Sequence, residues 1–235
     1  MIVSINQPAY LPWLGYFHRI ALSDLHIVLD HVQFEKNSFT NRNRIRTAEG
    51  QQWLTVPVQT SGKFGELPIA ELAIDNTRGW TRKHRDSIRQ NYLKAAHYCK
   101  HEQFFEAVFS SQWQKLGDIT KEITDYLLDK FEIRTPLRFS GAMNVPGRKS
   151  ELLLNLCREV GANIYLSGPL GRGYLDENSF RGAGVEIIYD NFLHPVYHQL
   201  YEPFQSGMAA IDLLFNCGAE SRSVLMSTSF KEPKR

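Results

Sequence analysis

Short apolar runs alternate with segments of helical periodicity at both ends of this chain, and that alternation constrains the fold more than any other feature of the sequence. Residues 2–5 predict a buried strand, the spacing of Leu14, Phe17 and Ile20 predicts a helix, and residues 25–29 predict a second strand. Strands joined by helices form parallel sheets, so the sequence predicts an α/β fold with an open, mainly parallel, Rossmann-like sheet. The same alternation predicts later strands at residues 137–139, 164–166 and 185–189, and helices at 150–160, about 177–181 and 208–217.

The middle of the chain departs from this alternation. Residues 30–46 are polar and predict a long loop, while residues 53–58 and 69–74 alternate well enough to predict two strands around a glycine-bearing turn at 60–65. There is no internal repeat and no low-complexity linker, so we expect a single α/β domain over residues 1–235 with an inserted helical segment at about 76–132. The helices of that segment are expected from a cap at Asn76 or Thr77 to about residue 95, and at about 102–114 and 118–131.

The composition is that of a globular protein, with 43% hydrophobic and 22% charged residues. The formal net charge of +2 provides no global field that would attract a polyanion. No run approaches the roughly 18 apolar residues of a membrane span, and the first residues lack the pattern of a signal peptide. We therefore expect a cytoplasmic protein without membrane insertion.

The cysteines and the short catalytic motifs exclude several classes of site. Cys99, Cys157 and Cys217 are far apart and lack the paired spacing of a zinc site, so no bound metal is expected. Cys157 and Cys217 lie in apolar periodic runs, which indicates buried free thiols and a reducing compartment. The GxSxG and HExxH motifs are absent, which argues against a standard serine hydrolase or zinc enzyme.

Polar and aromatic segments follow the predicted strands, at residues 6–16, 30–44, 167–176 and 190–197. Open α/β sheets bind ligands in the crevice beyond the carboxyl ends of their strands, so we expect these segments to share one site. The candidate substrate-binding residues are Asn6, Gln7, Tyr10, Trp13, Tyr16, Gln33, Asn41, Arg42, Arg44, Ser167, Gly168, Tyr174 and Asp176.

Three of these segments suit an anionic ligand. The corner at residues 7–16 leads into a helix N-terminus, which favours a phosphate or carboxylate; alternatively, its prolines only shape a tight turn around packed aromatic rings. Arg42 and Arg44 can make bidentate contacts with such an anion, or form a solvated basic loop. The glycines at 168, 171 and 173 allow close backbone approach to a ligand, or give a flexible turn.

Two histidines and one aspartate are candidate catalytic residues. His84 and His194 could act as general bases near neutral pH, with Asp30 orienting the acceptor, although His84 lies on an aromatic helical row where a packed histidine is the alternative. The same helix carries a basic face, which could bind an RNA such as a charged tRNA or could simply be solvated. That face consists of Arg78, Arg82, Arg85 and Arg89.

Taken together, these segments resemble the WbqC-like family. The motifs that carry the resemblance are residues 6–17 (NQPAYLPWLGYF), 30–34 (DHVQF), 41–45 (NRNRI), 53–58 (WLTVPV), 166–176, 194–197 (HPVY) and 211–218. The resemblance implies a place in bacterial O-antigen or related surface-polysaccharide gene clusters, and a glycine-transferring role. It implies no specific catalytic residues.

Our leading hypothesis is therefore a transferase that moves a small aminoacyl or acyl group onto a sugar, a nucleotide-sugar or a carrier-bound intermediate. A charged tRNA or a carrier protein could be its donor, and the cofactor is left open, with a nucleotide or nucleotide-sugar as the candidates. One alternative is a nucleotide-dependent ligase or adenylyl-transferring enzyme. Another is a non-catalytic module that binds a glycan or a partner protein.

Overall fold

A five-stranded, all-parallel sheet organises the computed structural model, which describes residues 1–60, 62, 65 and 67–227. Its strands are β1 (Ile2–Asn6), β2 (Leu25–Val28), β5 (Leu137–Phe139), β6 (Ile164–Ser167) and β7 (Glu186–Tyr189), and a separate pair is formed by β3 (Arg42–Thr47) and β4 (Gly50–Thr55). The order of strands in the sheet is β5-β2-β1-β6-β7, with β1 in the centre. The prediction of an α/β fold with an open parallel sheet is thus confirmed.

The helices pack on the sheet and fill the long connection between β4 and β5. They are α1 (Leu14–Ala21), α2 (Trp80–Tyr92), α3 (Glu102–Ser110), α4 (Leu116–Lys130), α5 (Lys149–Glu159), α6 (Glu177–Gly182), α7 (Ile211–Cys217) and α8 (Ser221–Met226). The three helices α2, α3 and α4 form the inserted helical segment that the sequence predicts. The single-domain division stays a prediction.

The order of the strands creates a switch point beside β1. The chain passes from β1 to β2 and then to β5 on one side, and places β6 and β7 on the other side. Val3 pairs with Leu25 of β2 and with Tyr165 of β6, so β1 is hydrogen-bonded along both edges. Connections leave the carboxyl ends of β1 and β6 in opposite directions, and such a divergence opens a crevice between the two strands.

The hairpin of β3 and β4 corrects the prediction for the middle of the chain. Residues 42–46, expected at the end of a loop, lie in the strand β3, and the neighbouring strand is Gly50–Thr55 rather than residues 53–58. The pair is antiparallel, with Arg44 opposite Trp53. The pattern was hidden because the inward position Asn43 is polar although buried, and its side chain donates to the Leu11 carbonyl.

The prediction of a strand at residues 69–74 is wrong. Residues Ile69–Glu71 form a short 3-10 turn, and Ala73 and Ile74 make only isolated bridges, to Lys115 and Val58. Ile69, Leu72 and Ile74 are buried, so the alternation reflects packing of an irregular segment. The expected turn at 60–65 and the expected tail at 231–235 lie partly and wholly outside the described residues.

The start of the long helix also differs from the prediction. Asn76–Arg78 form a separate 3-10 turn capped by the Asp75 side chain, which accepts from the Thr77 amide. Gly79, with a φ of 57°, then breaks the path, and α2 begins at Trp80. Neither Asn76 nor Thr77 therefore caps the α-helix; the left-handed glycine separates two helical pieces.

The prediction of buried free thiols is confirmed for Cys157, whereas Cys217 is free but only half-buried. All three cysteines are free; Cys157 is buried, Cys217 is half-buried and Cys99 is exposed. Burial raises the pKa of Cys157 to about 12 and that of Cys217 to about 11. Both thiols are therefore held in the protonated, unreactive form.

A buried polar network ties α7 to the hairpin. The Asp212 carboxylate accepts from the Tyr92 hydroxyl at 2.9 Å, the Tyr197 hydroxyl at 2.7 Å and the Gln199 amide at 2.8 Å. The Tyr92 hydroxyl in turn accepts from the Arg46 backbone amide at 2.9 Å. Every partner is satisfied by another, so the network fixes the hairpin against the helical layer.

Three buried histidines predict how the stability depends on pH. Burial lowers the pKa of His26 to about 3, and lowers those of His84 and His101 to about 4. In the unfolded chain a histidine has an ordinary pKa of about 6.5. Between that pH and the lowered pKa of the folded state, the unfolded chain binds protons at these histidines and the folded chain does not. The free energy of unfolding should therefore fall as the pH drops from about 6.5 to about 4, by up to roughly 1.4 kcal/mol per pH unit for each histidine.

Urea unfolding of the wild type and of His26→Gln at pH 7.5 and 5.0 measures this slope. The pH dependence of the variant should be smaller than that of the wild type by about one bound proton, whereas Gln51→Ala, at an exposed residue that does not titrate, should keep the wild-type slope. Equal slopes in wild type and His26→Gln would contradict the assignment.

Candidate functional site

A buried arginine lies at the switch point between β1 and β6. Arg19, near the end of α1, is 6% exposed, and its Nη2 donates to Asn6 Oδ1 at 3.1 Å. A Cβ placed on Gly168 would lie 2.9 Å from Arg19 Nη1, so a side chain at this position would displace the guanidinium. Asn6 and Gly168 mark the carboxyl ends of β1 and β6, so the charge sits in the crevice that the strand order creates.

The charge of Arg19 is poorly compensated by the protein. Its Nε is buried without a hydrogen-bond partner, and no carboxylate among the described residues lies within ion-pair distance of it. Burial lowers the pKa of Arg19 from its ordinary value, while the nearby negative charge of Asp190 opposes that effect. A buried guanidinium with unused donors is suited to bind a phosphate or a carboxylate of a ligand.

A histidine–aspartate pair adjoins this arginine. The His18 Nδ1 and the Asp190 Oδ2 are 3.1 Å apart, and both side chains are buried. Asp190 directly follows β7, and its backbone amide donates to the Ser167 carbonyl at 2.8 Å, which holds the carboxylate beside the end of β6. A carboxylate that fixes one imidazole nitrogen is the arrangement that orients a histidine for proton transfer.

The sequence did not indicate His18 and Arg19 as site residues. The helical spacing of Leu14, Phe17 and Ile20 predicts α1 but does not show that the polar residues between them are buried as well. A signal was present, because a histidine and an arginine stand among apolar residues in the first helix after the first strand. Asp190 is the first residue of the polar segment 190–197, but it is not one of the candidate residues that the sequence indicates.

Four of the predicted residues gather around Arg19: Asn6, Ser167, Gly168 and Tyr174. Burial raises the pKa of the Tyr174 phenol, and the positive charge of Arg19 counteracts this. Ser167 is buried, and its hydroxyl donates to the Gly168 carbonyl at 3.1 Å. The glycine-rich stretch brings its backbone close to protein groups, since a Cβ on Gly171 would lie 2.2 Å from Ser167 Oγ.

Other predicted residues have structural contacts of their own. Asp176 caps α6 by accepting from the amide of Ser179 at 3.2 Å. Gln33 Oε1 accepts from the Leu67 amide at 2.8 Å. Gln7 Oε1 accepts from Thr40 Oγ1 at 3.4 Å. Asn41 Nδ2 donates to the Val56 carbonyl at 2.9 Å.

His84 is paired with Tyr10 inside the protein. The Tyr10 hydroxyl and the His84 Nδ1 are 2.8 Å apart; Tyr10 is fully buried and His84 is 5% exposed. Burial lowers the pKa of His84 to about 4, against a hydrogen bond with the Thr55 backbone that raises it. The imidazole is therefore neutral at pH 7, and it borders a separate cavity of about 360 Å³ between β4 and α2.

His194 lies in an aromatic cluster that reaches the switch point. Its Nδ1 donates to the Pro195 carbonyl at 2.9 Å, and burial lowers its pKa. The ring is 6.0 Å from the Phe192 ring, which in turn is 5.0 Å from His18. His194 thus packs behind Phe192, one ring away from the His18–Asp190 pair.

Asp30 is placed at the carboxyl ends of β2 and β5, apart from the β1–β6 crevice. Its Oδ1 accepts from the Gly141 amide at 2.7 Å and from the Ser140 hydroxyl at 3.1 Å. It borders a cavity of about 210 Å³ that Tyr16 and the start of α4 also line. The contacts hold the loop after β5 against the end of β2.

Arg42, Arg44 and Trp13 lie along the open face of the hairpin. The guanidinium carbons of Arg42 and Arg44 lie 4.4 and 5.3 Å from the centre of the Trp53 ring. Phe39 lies between Trp53 and Trp13, with ring centres 5.9 and 5.2 Å away. This group is more exposed than the buried crevice around Arg19 and is distinct from it.

The basic face of α2 is largely neutralised by acidic neighbours. Arg78 is 3.1 Å from Asp75, and Arg89 is 3.3 Å from Glu102. Arg85 contacts Asp86 and Glu106. The face therefore offers less positive charge to an RNA than its sequence suggests.

Two further findings bear on the kind of site. In the part of the chain that is described, no group of three or more His, Cys, Asp or Glu side chains is placed to hold a metal ion. Within the same residues, no helix has both the length and the apolar character that crossing a membrane requires.

The poor compensation of Arg19 predicts an effect on stability. Arg19→Met removes a buried charge whose guanidinium donates, within the described residues, to Asn6 alone, so the free energy of unfolding should stay within about 1 kcal/mol of the wild-type value or rise. Thermal unfolding at low salt measures this. A loss of several kcal/mol would instead mean that Arg19 holds the fold together.

Comparison with known proteins agrees with the motifs in the sequence. A protein of Mycobacterium tuberculosis described as "Uncharacterized protein Rv1507c" is 36% identical over 227 residues, which cover 95% of this chain and 96% of that protein. No solved structure matches the chain significantly. The model of the WbqC-like protein family matches residues 7–224, and this chain belongs to that family.

Proposed function

We propose that this chain is a transferase that moves a small aminoacyl or acyl group, such as glycyl, onto a sugar or a carrier-bound intermediate of surface-polysaccharide synthesis. The observation that carries the proposal is the buried Arg19 at the switch point, with unused donors and no carboxylate at ion-pair distance in the described part. The polysaccharide setting and the glycyl group come from the family resemblance. The buried Arg19 is the reason for proposing that the substrate carries an anionic group.

In this proposal Arg19 holds a phosphate or carboxylate of the substrate. Two or more charge-assisted hydrogen bonds from a guanidinium fix both the position and the orientation of such a group. The low dielectric of a buried site strengthens these contacts. Binding of the anion also compensates the charge that the protein leaves exposed to the crevice.

The His18–Asp190 pair is the proposed proton acceptor. The acceptor amine or hydroxyl attacks the acyl carbonyl carbon, a new C–N or C–O bond forms, and the bond to the donor's leaving group breaks. The proton of the acceptor passes to the imidazole of His18, which Asp190 orients, and then to the leaving group. We prefer this pair to His84 or His194 with Asp30, because it adjoins Arg19 at the β1–β6 crevice.

A transfer assay tests the proposal. The chain is incubated with radiolabelled glycyl-tRNA, or with a glycyl thioester of a carrier protein, and with UDP-, dTDP- and GDP-linked amino sugars. Label should move to a sugar, and Arg19→Gln and Asp190→Asn should each lower the rate by about 100-fold. The exposed His198→Gln is the control and should keep the wild-type rate.

Failure of transfer from both donors to every sugar would overturn the proposal, as would full activity in Arg19→Gln. A rate that requires added ATP would favour a nucleotide-dependent ligase instead.

A non-catalytic glycan-binding module is the second candidate, because Trp53 is 43% exposed and Phe39 is 38% exposed. Exposed aromatic rings commonly mark a binding surface. Glycan binding that is unchanged in Arg19→Gln, together with no transfer, would support it.

A further inference from the structure

A row of aromatic rings leads from the switch point to the hairpin. A Cβ on Gly15 would lie 3.0 Å from the Phe192 ring and 3.2 Å from Trp13 Nε1, so these two side chains meet over the start of α1. The Trp13 ring is 5.2 Å from Phe39, and Phe39 is 5.9 Å from Trp53. The row begins beside His18, which contacts Phe192, and ends on the exposed Trp53.

Two arginines stand at the exposed end of this row. Arg42 and Arg44 lie on the same face of β3 as the cross-strand neighbour Trp53. Their Nη atoms donate to the carbonyls of Asn37 and Gly207, which hold them in place without neutralising them. No carboxylate of the described residues forms an ion pair with either guanidinium.

We propose that Trp13, Phe39 and Trp53, together with Arg42 and Arg44, bind the nucleoside diphosphate half of a nucleotide-sugar. This inference deepens the proposed function and rests on it. The base stacks on the exposed rings, the two arginines compensate the diphosphate, and the sugar points along the row toward Arg19 and His18. The acceptor would then reach the crevice from the hairpin side.

The chemistry of the row matches this ligand. Stacking of a base on an aromatic side chain stabilises a complex by about 1–3 kcal/mol and tolerates any base. Guanidinium groups are the preferred protein partners of phosphates. Two positive charges without acidic partners correspond to a diphosphate, whereas a neutral glycan would have no use for them.

A longer nucleic acid fits these observations less well. A polynucleotide needs a continuous positive path along its backbone. The nearest basic surface, on α2, is paired with Asp75, Glu102 and Glu106. Arg42 and Arg44 thus differ from Arg78, Arg85 and Arg89 on and beside α2, whose charges have acidic partners.

Calorimetry without any acyl donor tests the inference. UDP, dTDP, GDP and ADP are titrated into the wild type, into Trp53→Ala and into Arg44→Ala. At least one diphosphate should bind the wild type, and each variant should weaken that binding by about tenfold or more. Arg158→Ala, which removes an exposed arginine of α5, is the matched control and should bind as the wild type does.

Absence of binding by all four diphosphates would overturn the inference, as would unchanged affinity in both hairpin variants. Binding of a single-stranded oligouridylate in place of every diphosphate would also overturn it, in favour of RNA. Circular dichroism of each variant shows whether it is folded, and Trp53→Leu, which also removes the aromatic ring, replaces Trp53→Ala if the latter is not. If a diphosphate binds but no glycyl group is transferred, only the proposed reaction is contradicted. If a glycyl group is transferred but no diphosphate binds, only this inference is contradicted.

Discussion

The pairing of β1 on both of its edges is the constraint from which the candidate site follows. Because β1 lies between β2 and β6, the chain must leave the two central strands in opposite directions, and their carboxyl ends open onto a crevice. The helix α1 begins above that crevice and directs its side chains back toward its own N-terminus. A long side chain near the end of α1, such as Arg19, therefore reaches the ends of β1 and β6.

Two buried arginines in this fold differ in how fully the protein holds their guanidinium groups. Arg46 donates to four backbone carbonyls, those of Thr47, Gly50, Tyr201 and Pro203, and fastens the hairpin to the loop before α7. Among the described residues, the guanidinium of Arg19 donates to one acceptor, Asn6. A protein gains little by burying a cation so incompletely, because desolvation is costly and few contacts offset it. The incomplete set of partners around Arg19 is the physical reason for placing a ligand there.

The parts of the fold that could be predicted are those in which burial leaves a simple pattern. The parallel strands are buried on both faces and appear as short apolar runs, such as that of β1, and the amphipathic α4 and α5 show helical spacing. The hairpin could not be predicted, because β3 lacks the alternation of apolar and polar residues that marks a strand. Every second residue from 42 to 46 is an arginine, and the buried Asn43 between them is polar as well. The prediction of a strand at 69–74 was wrong for the opposite reason. Its apolar residues alternate as in a strand, but they pack into the core without forming the hydrogen bonds of a sheet.

The site was predictable only in outline. The rule that ligands bind beyond the carboxyl ends of parallel strands selected Asn6, Ser167 and Gly168, which lie around Arg19. It could not select Arg19 or His18, whose role depends on which helix face meets which strand end. His84 and Asp30 lie away from that crevice, because His84 pairs with Tyr10 and Asp30 accepts from the Gly141 amide. These contacts between distant parts of the chain leave no pattern in the sequence.

The central claim is that the Arg19 guanidinium binds the anionic group of a substrate. The most direct measurement is a nitrogen-15 NMR titration of the arginine Nε–H resonances with inorganic phosphate, with the Arg19 signal assigned from its loss in Arg19→Lys. We expect the Arg19 resonance to shift in a saturable manner, whereas the resonance of Arg46, whose guanidinium is held by four carbonyls, should not shift. A stationary Arg19 resonance at saturating phosphate, while resonances of exposed arginines move, would contradict it.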